Sequence, residues 1–470
     1  MPFPFTLPTT SRFLFTGYFD SSSHPSLPLS ASTYRGVVQD ALKRHKQLPL
    51  SEQPPNLSAL LQSLNNYIPY LLAIDSGLGG QSAIGEEIDV VLKSTPVLRW
   101  RPTLSDGIIP GREIPYVKIE SLEYEIYFTL STLAYVYTLL SRAYLHPLYS
   151  SATASPTPEQ RTTAIAAATK NLLLAASVHD YLARRADQLS SEPPSVDITK
   201  YTFRALSSLA LAEATLLAVL KDDPYPAAVA QDRNANDKDW MIRAPQIAKV
   251  RAHLFARLCL EGAQHAANAA SLLNSTAAKG QGKIHQDLIK YADDLRRTSR
   301  SKAFRMLGID AELGNQTGVG IAWLQGGLHE LGFAPKEVAK KGLSLGRFKK
   351  GWSEKREDKK VENGGHWGSD AGKLEEARVL EMLEKKWTKE NDTVNTQTVP
   401  AYGTLTGTMP SGREIHALKP YAVPGLDSSA LEAMRAPPDH ADDEAGDSSD
   451  GETDRQSPCR SIPWDKGRLF

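Results

Sequence analysis

Apolar residues recur at helical spacing over most of this chain, and where they lapse, proline, glycine or charge takes their place. The first 35 residues are rich in Pro, Ser, Thr and Phe, and the run Arg12-Phe13-Leu14-Phe15-Thr16-Gly17-Tyr18-Phe19 predicts a short strand or two. A helix opens at Pro54-Pro55-Asn56, with Asn56 as cap, and runs through Leu60, Leu61, Leu64 and Tyr67 to a turn at Ser76-Gly77-Leu78-Gly79-Gly80. Residues 97–120, broken by Pro102, Pro110 and Pro115, read as extended. Long helices follow. The spacing predicts them over Ser121 to Leu145, Thr157 to about Leu189, Asp197 to Lys221, Pro245 to about Leu273, Ile284 to Leu307, and Thr317 to about Leu331. The first of these is apolar on nearly every face, which marks a helix buried inside the fold. Its longest uncharged stretch, Ile126 to Ser141, is 16 residues, short of the ~20 needed to span a membrane. The fold class is mainly α, elongated, and built of long helical hairpins stacked side by side, with a small N-terminal β element.

Charge changes the picture near the C-terminus. Residues 336–360 hold ten Lys or Arg against four Asp or Glu. With the neighbouring glycines and Trp352 and Trp367 they read as an exposed basic insertion over about 336–372. A helix resumes at Lys373 to Lys386. Pro400, Gly403, Gly407, Pro410, Pro420 and Pro424 then mark an extended wrap. Residues 439–454 carry eight acids and no Lys or Arg, so the segment 425–470 reads as a disordered acidic tail. The whole sums to 54 basic and 54 acidic residues, a formal net charge of zero. That balance argues against a dedicated nucleic-acid binder. Only two cysteines are present, Cys259 and Cys459, which excludes a disulfide framework and fits a reducing cytosol. The first residues show no secretory pattern, no Gly follows Met1, and the end is not a prenylation box, so a cytoplasmic protein is expected.

Candidate chemistry is sparse. Gly342-Leu343-Ser344-Leu345-Gly346 matches a nucleophile elbow, but Lys340-Lys341 and Lys349-Lys350 flank it where a buried strand and a helix are needed. Gly80 and Gly85 have the spacing of half a phosphate loop, yet Glu86 stands where Lys must reach the phosphates. His329-Glu330 begins a zinc-helix pattern, but Phe333 replaces the second ligand. No catalytic set, metal site, cofactor or small-molecule substrate is therefore expected, and binding is the expected role. Leu209 to Leu220 with Ile247, Val250, Leu254 and Leu258 has the pattern of a groove for an amphipathic helix, and equally that of a core. The basic segment, with Lys340, Lys341, Arg347, Lys349 and Lys350, has the chemistry to touch acidic lipid, and equally that of a solvated loop.

Several stretches, in order, resemble the Bro-domain family of ESCRT-associated adaptors. Leu98-Arg99-Trp100 followed by Leu122-Glu123-Tyr124-Glu125 is similar to the family's aromatic-x-Trp segment and the helix after it. Leu211-Ala-Glu-Ala-Thr-Leu-Leu-Ala-Val-Leu-Lys221, Ile247-Ala-Lys-Val250 and Gly318-Val-Gly-Ile-Ala-Trp-Leu-Gln325 resemble three later family helices. Trp387 to Asn391 through Pro400, then Ala417-Leu-Lys-Pro and Pro424, resemble its closing wrap. The resemblance covers residues 1–424 and implies a boomerang-shaped Bro domain with a core like stacked tetratricopeptide hairpins. The family includes nearly lone Bro domains of fungal alkaline-pH signalling, and this chain is most similar to those. What this implies is a non-enzymatic adaptor that binds the C-terminal helix of the main ESCRT-III filament subunit at cortical membrane sites or endosomes. It implies help in assembling the calpain-like protease complex that activates the PacC transcription factor; a general endosomal sorting adaptor is the alternative. By the family match the partner helix lies near Val219, Gln246, Val250, Leu324 and Leu328. Gln246 departs from the apolar residue the family places there, as Thr132 departs from the family's Asn.

Overall fold

The computed structural model describes residues 2–437 except 81, 84–85, 107–112, 150–156, 190, 227–246, 278–281, 334–354, 357–358 and 360–366. The elements are β1 (Thr9–Thr10), β2 (Phe19–Asp20), α1 (Leu27–Gln47), α2 (Gln53–Leu78), β3 (Ser82–Ala83), β4 (Glu86–Glu87), β5 (Val91–Leu92), β6 (Leu98–Arg101), β7 (Val117–Ile119), α3 (Leu122–Leu145), α4 (Pro158–Asp187) and α5 (Lys200–Asp222). There follow α6 (Lys249–Ala277), α7 (Gln286–Glu312), α8 (Thr317–Glu330), α9 (Lys373–Glu390), α10 (Tyr402–Leu405) and α11 (Ser428–Glu432). From α1 to α8 each helix packs on the next, a row of antiparallel hairpins, and α9 returns against α7 and α8.

Local chemistry sets the helix starts. Ser121 accepts from Glu123 N at 3.2 Å to open α3. Thr157 and Gln160 cap α4 reciprocally. Thr199 accepts from Thr202 N at 3.2 Å to open α5. α3 is enclosed along nearly its whole length, from Leu122 to Leu145, as its all-round hydrophobicity predicts. α5 is long and apolar enough to cross a membrane by composition, yet 67% of its most apolar stretch is buried among neighbouring helices.

Among the described residues the strands form three small antiparallel sheets. β6 takes the centre of the order β1-β6-β7, with Trp100 opposite Thr10 on one side and Val117 on the other. This places Trp100 and the Glu125 of α3 together in the core. Glu125, fully buried, accepts from Arg35 Nε at 2.8 Å, Tyr67 OH at 3.0 Å and Trp100 Nε1 at 2.5 Å. Arg35 also donates to Thr10 Oγ1 at 2.6 Å and Ser11 O at 2.8 Å. One carboxylate thus joins β1, α1, α2, β6 and α3, and each buried polar group in the set has a partner.

Several boundaries differ from the sequence pattern. α2 starts at Gln53 after Glu52, so Asn56 lies inside the helix instead of capping it. α1 starts at Leu27, inside the segment that reads as irregular, because Pro28 is tolerated in a first helical turn. The expected exposed insertion ends earlier than residue 372. Trp367 is 4% exposed, its carbonyl accepts from Arg142 Nη2 at 2.8 Å, and the Arg142 guanidinium lies 4.8 Å from its ring. The expected tail begins later than 425: Leu426, Leu431 and Met434 are buried in the first core, and Ala436 N donates to Ser23 O at 2.8 Å. Residues 439–454 lie outside the described residues.

Removing the Glu125 carboxylate strands Arg35 in the core. Glu125→Ala is expected to cost about 3–5 kcal/mol, read as a shift in the chemical denaturation midpoint. A loss below 1 kcal/mol would show that the junction does not depend on it.

Candidate functional site

The residues that the family match brings forward sit in the sector of α5 to α9. α5 carries Val219, α6 opens at Lys249 just after buried Ile247, and α8 carries Leu324 and Leu328. Val219, Leu324 and Leu328 are indeed brought together. They share one core cluster with Phe304 and Leu307 of α7 and Leu380 and Leu383 of α9. All three are buried, so they form the floor beneath the surface rather than the surface itself. Val250 is the member of the set that faces solvent, at 84% exposed, on the first turn of α6 beside exposed Lys249 and Arg251. Gln246 lies outside the described residues, as do Lys340, Lys341, Ser344, Arg347, Lys349 and Lys350.

Other exposed apolar residues cluster around the same end of the fold. The Lys249 Nζ reaches Gly314, where it would stand 3.1 Å from an added Cβ, so the first turn of α6 abuts the α7–α8 turn. Leu313 in that turn is 42% exposed. The segment after α9 is fastened to the turn by Gln397 Nε2 to Asn315 O at 2.9 Å, Gly318 N to Gln397 Oε1 at 3.0 Å and Asn395 Nδ2 to Thr317 Oγ1 at 2.9 Å. Gly318 is required, since a Cβ there would collide with the Thr398 carbonyl. This segment holds Val394 and Val399 out to solvent. Leu313, Val394 and Val399 are absent from the periodicity argument because each is a lone apolar residue in a polar turn.

A buried ion network fixes this sector. Arg305 of α7, fully buried, donates to Asp223 Oδ2 at 2.6 Å, just past the end of α5, and to Glu376 Oε1 of α9 at 2.6 Å. Lys302 reaches Glu376 Oε2 at 2.7 Å. Burial pushes both carboxyls up, but Arg305 outweighs it and holds Asp223 and Glu376 below the usual carboxylate range. Beside the network lies a cavity of about 40 Å³ bordered by Tyr149, Glu213, Val219, Asp223, Lys302 and Glu375. Glu213 accepts from Tyr291 OH at 2.7 Å and Phe3 N at 3.0 Å. Burial pushes its carboxyl up to about 7, against the pull of these donors and Arg142. Among the described residues no group of three or more His, Cys, Asp or Glu gathers as a metal site requires. What the sector does offer is exposed apolar surface, at Val250, Leu313, Val394 and Val399, over a buried apolar floor.

The chain is 41% identical over 488 residues to pH-response regulator protein palC of Emericella nidulans, covering 97% of this chain and 96% of that one. It is 26% identical over 472 residues to palC of Cryptococcus neoformans, covering 90% and 92%. No protein-family model matches. Among solved structures, the BRO1 domain of ALIX in complex with CHMP4C has a TM-score of 0.52 at 15% identity, covering 90% of this chain and 96% of that one. ALIX in complex with a viral late domain has a TM-score of 0.54 at 16% identity, covering 92% of this chain and 51% of that one. At such identities these structures establish the fold alone, an elongated helical Bro domain.

Glu213 gives a pH signature. Its folded pKa of about 7 lies above the ordinary 4.5, so the fold holds a proton that the unfolded chain has lost. Stability from this group is full below about 4.5 and is lost as pH rises through 7. Glu213→Gln is therefore expected to gain stability relative to the parent between pH 5 and pH 7.5, by urea denaturation at each pH. A constant difference across that range would contradict the assignment.

Proposed function

The chain belongs to the palC family of pH-response regulators, and from that premise we propose that it is a non-enzymatic adaptor of ambient alkaline-pH signalling. In this reading it binds the C-terminal helix of an ESCRT-III filament subunit at the cell cortex or on endosomes. There it helps assemble the calpain-like protease complex that activates PacC. The observation that carries the reading is the 41% identity to a palC regulator across almost the whole of both chains. The Bro fold supports the partner, because a neighbour of that fold has been solved with CHMP4C bound.

The mechanism is physical. An apolar helix face docks on a preformed helical surface, and the gain in apolar burial is offset in part by ordering the partner's tail. The surface includes Val250, exposed on the first turn of α6, in the sector whose buried core holds Val219, Leu324 and Leu328. The buried Arg305 network keeps α5, α7 and α9 in register beneath it. Peripheral association with acidic membrane through Lys340, Lys341, Arg347, Lys349 and Lys350 is part of the same proposal, on their charge alone.

Two experiments test it. Deletion of the gene should abolish alkaline growth and PacC processing; normal processing at alkaline pH would reject the pathway assignment, and a vacuolar sorting defect in its place would favour a general sorting adaptor. Val250→Asp should abolish binding to the filament's C-terminal peptide in calorimetry, since an unpaired charge in an apolar contact costs several kcal/mol. Because Val250 is 84% exposed, the variant should keep the parent's unfolding midpoint. Undiminished affinity would remove Val250 from the contact.

A further inference from the structure

The chain after α10 lies as a strap across the α5–α6 hairpin. Arg413 N donates to Arg257 O at 3.2 Å, and Arg257 Nε donates to Ser411 O at 3.0 Å. Gly412 lies flat on α6, where a Cβ would collide with the Glu261 carboxylate and backbone. Leu418 and Tyr421 then pack on the first core, with the Tyr421 ring 5.6 Å from that of Tyr181 on α4. Between these anchors His416 turns inward. Its ring hydrogen-bonds to the backbone of Ala214 on α5 and lies within electrostatic reach of His265 on α6. Its Nε2 is buried without a hydrogen-bond partner.

Protonating His416 therefore puts a buried N–H where there is no acceptor, beside a second imidazole. The charged groups around it are few. On α6 they are His265, with Glu261 Oε1 at 3.6 Å from its Nε2, and Arg257, already engaged with Ser411 O. On α5 the neighbouring Glu213 is occupied by Tyr291 and Phe3. On the strap, Arg413, Glu414 and Lys419 are exposed. No carboxylate among these is bonded to His416 to compensate a positive charge on it.

We infer that His416 is a proton-sensitive latch, which holds the 411–421 strap on the α5–α6 hairpin when its ring is neutral and loosens it on acidification. Burial lowers the His416 pKa from its ordinary 6.5, with His265 adding to the effect and the Ala214 contact opposing it. The sign follows: the latch stabilises the docked strap above that ordinary value and is lost as pH falls through the lowered one. Loosening uncovers the α6 face around Glu261 and His265. The inference does not depend on the identity of the adaptor's partner.

The test is hydrogen exchange on the full chain, with protection factors corrected for the intrinsic pH dependence of exchange. Protection of the Arg413 amide, which is bonded to Arg257 O, should fall severalfold between pH 7.5 and pH 5, while that of α3 amides stays level. His416→Gln should remove this pH dependence. An NMR titration of the His416 ring in the parent chain, which needs no variant, should give a midpoint below that of a free imidazole. Strap protection that is independent of pH, or a His416 midpoint at or above the free value, would overturn the latch.

Discussion

A single buried carboxylate, Glu125, sets the terms for the N-terminal half. Taking a charge out of water is tolerable only where donors surround it, and Arg35, Tyr67 and Trp100 supply them from three different elements. Those donors cannot reach it unless β6, α1 and α2 each bring one side chain to α3. The requirement positions the small sheet on the helical body. With α3 fixed, the remaining helices can be added in chain order, each covering the apolar face of the one before.

The same device recurs at the other end. Arg305 with Asp223 and Glu376 does for α5, α7 and α9 what Glu125 does for the first elements. Two short-range charge clusters thus brace two hydrophobic cores that share α5, α6 and α7. The proposed partner surface lies over the second brace. Its floor is buried, and its exposed apolar residues, Val250 and Leu313, sit at a helix start and a tight turn.

Much of this was legible in the residues. Helix type and approximate extent followed from periodicity, and Trp100 and Glu125 were already marked by the segments that resemble a Bro domain. Their direct hydrogen bond was not, because 25 positions separate them and only the fold closes that gap. Periodicity placed Val219 and Val250 on apolar faces but does not distinguish a face covered by α7 and α9 from one left open. The stretch 425–437 was read with the tail because the acid run at 439–454 follows it; three spaced apolar residues, Leu426, Leu431 and Met434, are enough to fasten it. Trp367 was hidden in the same way by surrounding glycines, and Arg142 is what anchors it.

The central claim, that this chain acts by holding an ESCRT-III helix on its second sector, is met most directly by titrating the filament subunit's C-terminal peptide into the full chain in a calorimeter. The account predicts one-to-one binding with micromolar affinity, about −8 kcal/mol, and a negative heat-capacity change from apolar burial. Absence of binding at millimolar peptide would contradict it.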